Sequence, residues 1–162
     1  MSLEWFKAPP PIIRKTTLQD LRSLADIHAQ CFQPGWGRAE LASLYEQKGV
    51  VFFTATPSGA FERRDPIGFL ALRIVADEAE VLTIAVSPKY QGKGVGRKLM
   101  EDGLFHLYSE RVEMLFLEVD DTNVSAVSLY KKLGFRQVGE RKGYYSNSEG
   151  SGTALVMRCD LR

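Results

Sequence analysis

Long apolar runs are missing from this 162-residue chain. None approaches the ~20 residues that cross a bilayer as a helix, and no secretory leader is expected. Cysteine is scarce. Cys31 and Cys159 lie near opposite ends, match no metal-ligand spacing and read as buried reduced thiols rather than a disulfide framework. Histidine is as scarce, and His28 and His106 are far apart in sequence. A Cys–His nucleophile pair brought together by folding stays open beside the plainer reading of isolated side chains. Neither sign of charge dominates, with 21 Lys plus Arg against 20 Asp plus Glu, so nothing points to tracking along nucleic acid. What is left, 44% hydrophobic and 25% charged residues, is the composition of a soluble, cytoplasmic globular protein. A chain of this length is expected to form one domain over residues 1–162. Residues 1–10 read as a flexible or expression-derived tail, with Pro9-Pro10-Pro11 as a stiff entry to the fold.

Hydrophobic periodicity and turn residues predict eleven elements. Strands are expected at Ile12–Thr16, Val50–Thr56, Ile67–Ala76, Glu80–Val86, Met114–Val119, Phe135–Arg141 and Thr153–Cys159. Thr17 is expected to cap a helix with Leu18, Leu21, Ala25, His28 and Phe32 near one face. Gly35-Trp36-Gly37 ends it, and further helices follow at Arg38–Lys48, Gly94–Tyr108 and Asn123–Leu133. The order predicts an α/β protein: one mixed central sheet of six to seven strands with helices on both faces.

The stretch V-S-P-K-Y-Q-G-K-G-V-G-R-K-L-M, Val86–Met100, sets glycines at 92, 94 and 96 just before a helix. Backbone N–H groups at such a helix start bind phosphate readily. A P-loop needs Ser or Thr after its Gly-Lys pair, and a dinucleotide fingerprint needs a third glycine where Arg97 or Leu99 stands. Both fail. From spacing alone, a strand-to-helix connection whose glycines only permit positive φ fits equally well.

The order Q-x-x-G-x-G, Gln91–Gly96, after L-T-I-A-V-S-P resembles motif A of the GNAT acetyltransferases. Leu117–Phe135, L-E-V-D-D-T-N-V-S-A-V-S-L-Y-K-K-L-G-F, resembles the N-x-x-A-x-x-L-Y-x-x-L-G-F segment of the RimI-type N-terminal acetyltransferases in that family. With C-F-x-x-x-W before it and E-R-K-G-Y-Y after it, the likeness covers most of residues 12 to 160. It implies the GNAT fold and acetyl-CoA as cosubstrate. The backbone of Ile84, Ala85 and Val86 would hold the pantetheine arm, and the loop from Gln91 through Gly92, Lys93, Gly94, Val95, Gly96 and Arg97 the pyrophosphate. Lys93, Arg97 and Lys98 would add positive charge beside the helix dipole. Gln91-Gly92 stands where many relatives carry Arg-Arg, a departure expected to weaken phosphate contacts.

Strand alternation puts Glu118 in one row with Met114 and Phe116. Apolar surroundings there would disfavour its charged form, while a strand-end Glu turned to solvent fits the spacing as well. The resemblance makes Glu118 the catalytic base. Asn123 and Tyr130 lie seven residues apart, close to two helical turns, so they share a face about 10 Å apart. Asn123 suits a helix cap and Gly134 a helix end. The resemblance adds a contact from Asn123 to the CoA arm and makes Tyr130 the acid that protonates the departing thiolate. From the residues alone, Tyr130 fits a core position too. Tyr144, Tyr145 and Trp36 would line the groove for the acceptor, and Asp120-Asp121 would favour a basic residue early in it.

The expected activity is acetyl transfer to a protein N-terminal α-amine, as in the RimI-type enzymes, which acetylate the N-terminal alanine of a ribosomal protein. The alternatives are a GNAT enzyme acting on a small amine or lysine side chain, and a non-catalytic acyl-CoA-binding module. No metal is called for. The expected partner is a protein or peptide with a free N-terminus, with neither nucleic acid nor membrane involved, and the enzyme a monomer or weak dimer.

Overall fold

The computed structural model describes residues 9–59, 64–143 and 152–162. Seven strands form one mixed sheet: β1 (Ile12–Lys15), β2 (Val50–Thr56), β3 (Gly68–Val75), β4 (Glu78–Val86), β5 (Met114–Asp120), β6 (Arg136–Lys142) and β7 (Thr153–Asp160). Four α-helices accompany them among the described residues: α1 (Leu21–Cys31), α2 (Arg38–Tyr45), α3 (Val95–Ser109) and α4 (Val124–Lys132). The strand order is β1-β2-β3-β4-β5-β7-β6. β4 and β5 run parallel, whereas β7 pairs antiparallel with both β5 and β6. No helix among the described residues is long and apolar enough to cross a membrane.

The chain divides into two compact units, Met1–Ala71 with Thr83–Asp102 and Leu72–Leu82 with Gly103–Arg162. In the first, Leu21, Leu24, Ile27, Leu41, Phe52, Phe69, Leu99 and Met100 are buried. The helix expected directly after Thr17 instead begins as a 3-10 turn over Leu18–Asp20. Asp20 is the cause. Its carboxylate accepts the Thr17 N–H at 2.8 Å and the Arg14 guanidinium through two bonds of 2.7 and 2.9 Å. The Arg14 bonds hold its pKa below the ordinary carboxylate value, against the cost of burial. Helix α2 stops at Tyr45, three residues short of the expected Lys48.

In the second unit, Leu107, Val112, Leu115, Leu117, Val119, Phe135, Ala154 and Met157 are among the buried side chains. β4 starts at Glu78, two residues before the sequence pattern suggests, because the chain reverses tightly through Ala76 at φ 56°. Helix α4 ends in a Schellman motif. Gly134 takes φ +99°, its N–H reaches the Lys131 carbonyl at 3.1 Å and the Phe135 N–H reaches the Tyr130 carbonyl at 2.9 Å. The hydrophobic contact that goes with this cap is Phe135 on Tyr130, with ring centres 5.7 Å apart. The glycine that ends the helix thus also fixes the tyrosine of interest.

Candidate active site

The glycine loop belongs to the first unit. A 3-10 turn at Pro88–Tyr90 leads through Gly92 (φ +75°) and Gly94 (φ +84°) into α3 at Val95. Those two positions demand the left-handed conformation, and nothing lies within 4 Å of where a Cβ would stand at either. Gly96 differs. It lies inside the first turn, where a Cβ would meet only Val86 Cγ2 at 3.8 Å. The first bond into α3 runs from the Lys98 N–H to the Gly94 carbonyl at 3.0 Å. The N–H groups of Val95, Gly96 and Arg97 therefore have no acceptor among the described residues, and they form a row of donors at a helix start.

The positive charge there is less free than the sequence suggests. Arg97 pairs with Glu101 at 3.0 Å and Lys98 with Asp102 at 2.9 Å, both four residues on along the helix. Lys93 lies 5.6 Å from the centre of the Tyr90 ring. Gln91 also has an unforeseen role: its amide N–H donates to the Val86 carbonyl at 2.9 Å. The Cys31 thiol donates to the same oxygen at 3.2 Å. The side chain at 91 thus fastens the end of β4, and the Val86 carbonyl already carries two donors. Burial raises the Cys31 pKa, so its thiol keeps its proton.

Trp36 is half-buried in the loop between α1 and α2, and His28 holds it. The Trp36 N–H donates to His28 Nδ1 at 2.9 Å, and the rings stack with centres 4.7 Å apart.

In the second unit, β5, the turn after it and α4 carry three of the expected residues. Asp120 makes that turn by accepting the Thr122 N–H at 2.8 Å and its hydroxyl at 2.6 Å. Asn123 caps α4, its side-chain oxygen accepting the Ala126 N–H at 3.3 Å. Tyr130 is 7% exposed. Burial pushes its phenol up to about 12, and no hydrogen bond to its hydroxyl occurs among the described residues.

For Glu118 the solvent-turned of the two readings holds. It lies among Met114 and Phe116 in the strand row, yet it is exposed, and Arg141 donates to both its oxygens, at 2.9 and 3.1 Å. The reason is the strand order. β7 runs between β5 and β6, with Val156 opposite Glu118 and Ala154 opposite Arg141, and the guanidinium reaches across that strand. An ion pair with Arg141, rather than apolar surroundings, sets the environment of this carboxylate. Tyr144 and Tyr145 lie outside the described residues. Sequence reasoning passed over Arg141, and it weighed His28 only as a helix-face residue or half of a Cys–His pair. The apolar face of α1 already held His28, and E-R-K-G-Y-Y already held Arg141, but neither partner was legible.

A raised phenol has a consequence for stability. The folded state keeps the Tyr130 proton up to about pH 12, whereas the unfolded chain releases it near its ordinary value of about 10. Between those values the folded state binds more protons, so unfolding free energy falls as pH rises through this window. Urea unfolding of the wild type and Tyr130→Phe at pH 9 to 12 checks this: only the wild type should show the fall that Tyr130 causes.

The model of the acetyltransferase (GNAT) family matches residues 21–135, and the chain belongs to this family. Among its relatives, a [ribosomal protein bS18]-alanine N-acetyltransferase of Haemophilus influenzae is 44% identical over 151 residues, 93% of this chain and 99% of that protein. The crystal structure of the ribosomal-protein-S18-alanine N-acetyltransferase from Escherichia coli superposes with a TM-score of 0.82 at 30% identity, over 93% of this chain and 94% of that one. Ard1 from Thermoplasma volcanium gives 0.81 at 25% identity, over 95% and 99%. The chain is an acetyltransferase of RimI type.

Proposed function

We propose that this enzyme moves the acetyl group of acetyl-CoA onto the α-amine of a protein N-terminus, with the N-terminal alanine of ribosomal protein bS18 as acceptor. The observation that carries the reading is the nearly full-length likeness to the Haemophilus influenzae bS18-alanine enzyme. The local chemistry fits it. Free N–H groups at Val95, Gly96 and Arg97, with open space beyond Gly92 and Gly94, suit a pyrophosphate, and Asn123 retains an amide N–H₂ to offer the rest of the arm. The β4–β5 ladder pairs Glu78–Glu80 with Met114–Phe116, so Ile84, Ala85 and Val86 lie past its end, where a pantetheine arm can approach their backbone, the Val86 carbonyl being already held by Gln91 and Cys31.

Acetyl-CoA supplies the activated acetyl group. The amine must arrive neutral, and Glu118 accepts its proton directly or through a water. Arg141 holds that carboxylate in place. Backbone N–H groups at the end of β4 polarise the acetyl carbonyl. The Tyr130 hydroxyl donates to the sulfur. With its pKa at about 12, well above that of a thiol, it acts as a hydrogen-bond donor to the departing thiolate, and it passes a proton to the sulfur only as the attacking nitrogen releases its second proton, which restores the phenol.

Trp36, Tyr144 and Tyr145 border the acceptor in this reading, and residues 1–162 act as one catalytic domain, cytoplasmic and monomeric or weakly dimeric. Purified bS18 with an unmodified N-terminus, incubated with the enzyme and acetyl-CoA, tests the reading. Peptide mapping should find one acetyl group on the N-terminal alanine; acetyl groups on lysines alone would refute it.

A further inference from the structure

The side chain with the most specific surroundings outside the proposed chemistry is His28. It is 3% exposed and both ring nitrogens are engaged. Nδ1 accepts the Trp36 N–H at 2.9 Å, which fixes the proton on Nε2, and Nε2 donates to Thr83 Oγ1 at 3.2 Å. Phe32 and Trp36 stack on the imidazole with centres at 4.4 and 4.7 Å. Thr83 is itself buried, on β4 just before Ile84. The loop between Phe32 and Arg38 is also pressed onto α1 at Gly35, where a Cβ would stand 2.6 Å from Ala29 Cα.

A core histidine needs neither arrangement. Apolar packing alone would fill the space, and a backbone N–H in a half-buried loop ordinarily finds water. Here one small ring joins the loop that presents Trp36 to the strand that ends in Ile84–Val86, using a donor at one nitrogen and an acceptor at the other. Only a neutral imidazole with its proton on Nε2 can do both. Burial lowers its pKa, against an opposite pull from Glu40, and so maintains the neutral ring.

We infer that His28 is a positioning residue for acceptor binding: it fixes Trp36, through the loop backbone and ring, in register with β4. The inference rests on the reading of Trp36 as a wall of the acceptor groove. His28 touches neither substrate in this account. Its effect is on how well the acceptor's first residues are received, not on bond making.

Steady-state kinetics of the full chain with an N-terminal Ala-Arg peptide separates the possibilities, comparing wild type, Trp36→Ala, His28→Gln and His28→Asn. In His28→Asn the side-chain oxygen takes the place of Nδ1 and can still accept the Trp36 N–H. In His28→Gln the amide reaches toward Thr83 but leaves that N–H without its acceptor. Trp36→Ala and His28→Gln should each raise the peptide KM about tenfold, with kcat and the acetyl-CoA KM within about twofold of wild type. His28→Asn should stay within about threefold of the wild-type peptide KM. An unchanged peptide KM in His28→Gln, with Trp36→Ala raised, overturns the inference and leaves the groove reading intact. Equal losses in kcat and both KM values in the Gln and Asn variants overturn it too, because they mark simple core damage. An unchanged peptide KM in Trp36→Ala refutes the groove reading itself.

Discussion

Glu118→Gln is expected to lower kcat by about two to three orders of magnitude, with the acetyl-CoA KM nearly unchanged. The substitution keeps the side chain's shape and a hydrogen-bond acceptor for Arg141, but it removes the ability to take a proton. At pH 7 roughly a tenth of an α-amine with a pKa near 7.7–8.0 is already neutral. That residual fraction bounds the loss if the base only deprotonates free amine. A larger loss means that Glu118 takes the proton within the complex. Raising the pH should then recover part of the Gln variant's rate, because solvent does the deprotonation instead. Tyr130→Phe should cost less, about ten- to a hundredfold in kcat, because a CoA thiolate with an intrinsic pKa near 8.5 leaves tolerably without a donor. A cosubstrate with a better leaving thiol should narrow the Phe variant's deficit and leave the Gln variant's untouched. Stopped-flow or steady-state assays across pH 6 to 9 read both. Wild-type turnover in both variants would remove the acid–base account.

Gly94→Val should weaken CoA binding roughly a hundredfold, as read by calorimetric titration, because a β-branched residue resists the left-handed backbone. The present φ of +84° aims the loop so that the α3 N–H groups stay open, and a Cβ at this position would have no neighbour within 4 Å. The valine would drive the loop to negative φ and turn the donors away. Gly96→Ala is the informative control. Its backbone is ordinary and its Cβ would meet only Val86 Cγ2 at 3.8 Å, so the protein tolerates it, and any loss of affinity reports a phosphate at that spot. Gln91→Ala should cost only a few-fold, since its amide serves the Val86 carbonyl rather than the ligand. Equal CoA affinity in wild type and Gly94→Val would mean that the loop is a mere strand-to-helix connection.

Much of this fold was legible because its signals are local. Asn123 as a cap and Gly134 as a helix end follow from side-chain and φ preferences, and the Schellman motif realises both. Val50–Thr56 follows from β-branched and aromatic residues between turns. What escaped depends on partners distant in sequence. Alternation assigns Glu118 a face of β5, but it cannot reveal that β7 inserts between β5 and β6 and brings Arg141 onto that face. Periodicity sets His28 on the apolar side of α1, while its partner Thr83 is 55 residues away. Asp20 reads as a plain helix residue, and nothing local reveals that its carboxylate takes up Arg14 from the preceding strand. Arg97 and Lys98 read as positive charge supporting a phosphate beside the helix dipole, although the spacing to Glu101 and Asp102 already offered helical ion pairs.

The choice of acceptor is where the account stands or falls, and one competition experiment addresses it. Three peptides enter one reaction with acetyl-CoA at pH 7: Ala-Arg with a free N-terminus, the same peptide N-terminally blocked, and a blocked peptide bearing one free lysine. At that pH a lysine near pKa 10.4 is neutral to less than about a thousandth, so a single carboxylate such as Glu118 is a far poorer base for it than for an α-amine. Mass spectrometry of the mixture over time should show acetylation of the free N-terminus alone, with the blocked and lysine peptides unmodified until it is consumed. Acetylation of the lysine peptide at a rate equal to or above that of the free N-terminus would contradict the account and make this enzyme a lysine or small-amine acetyltransferase.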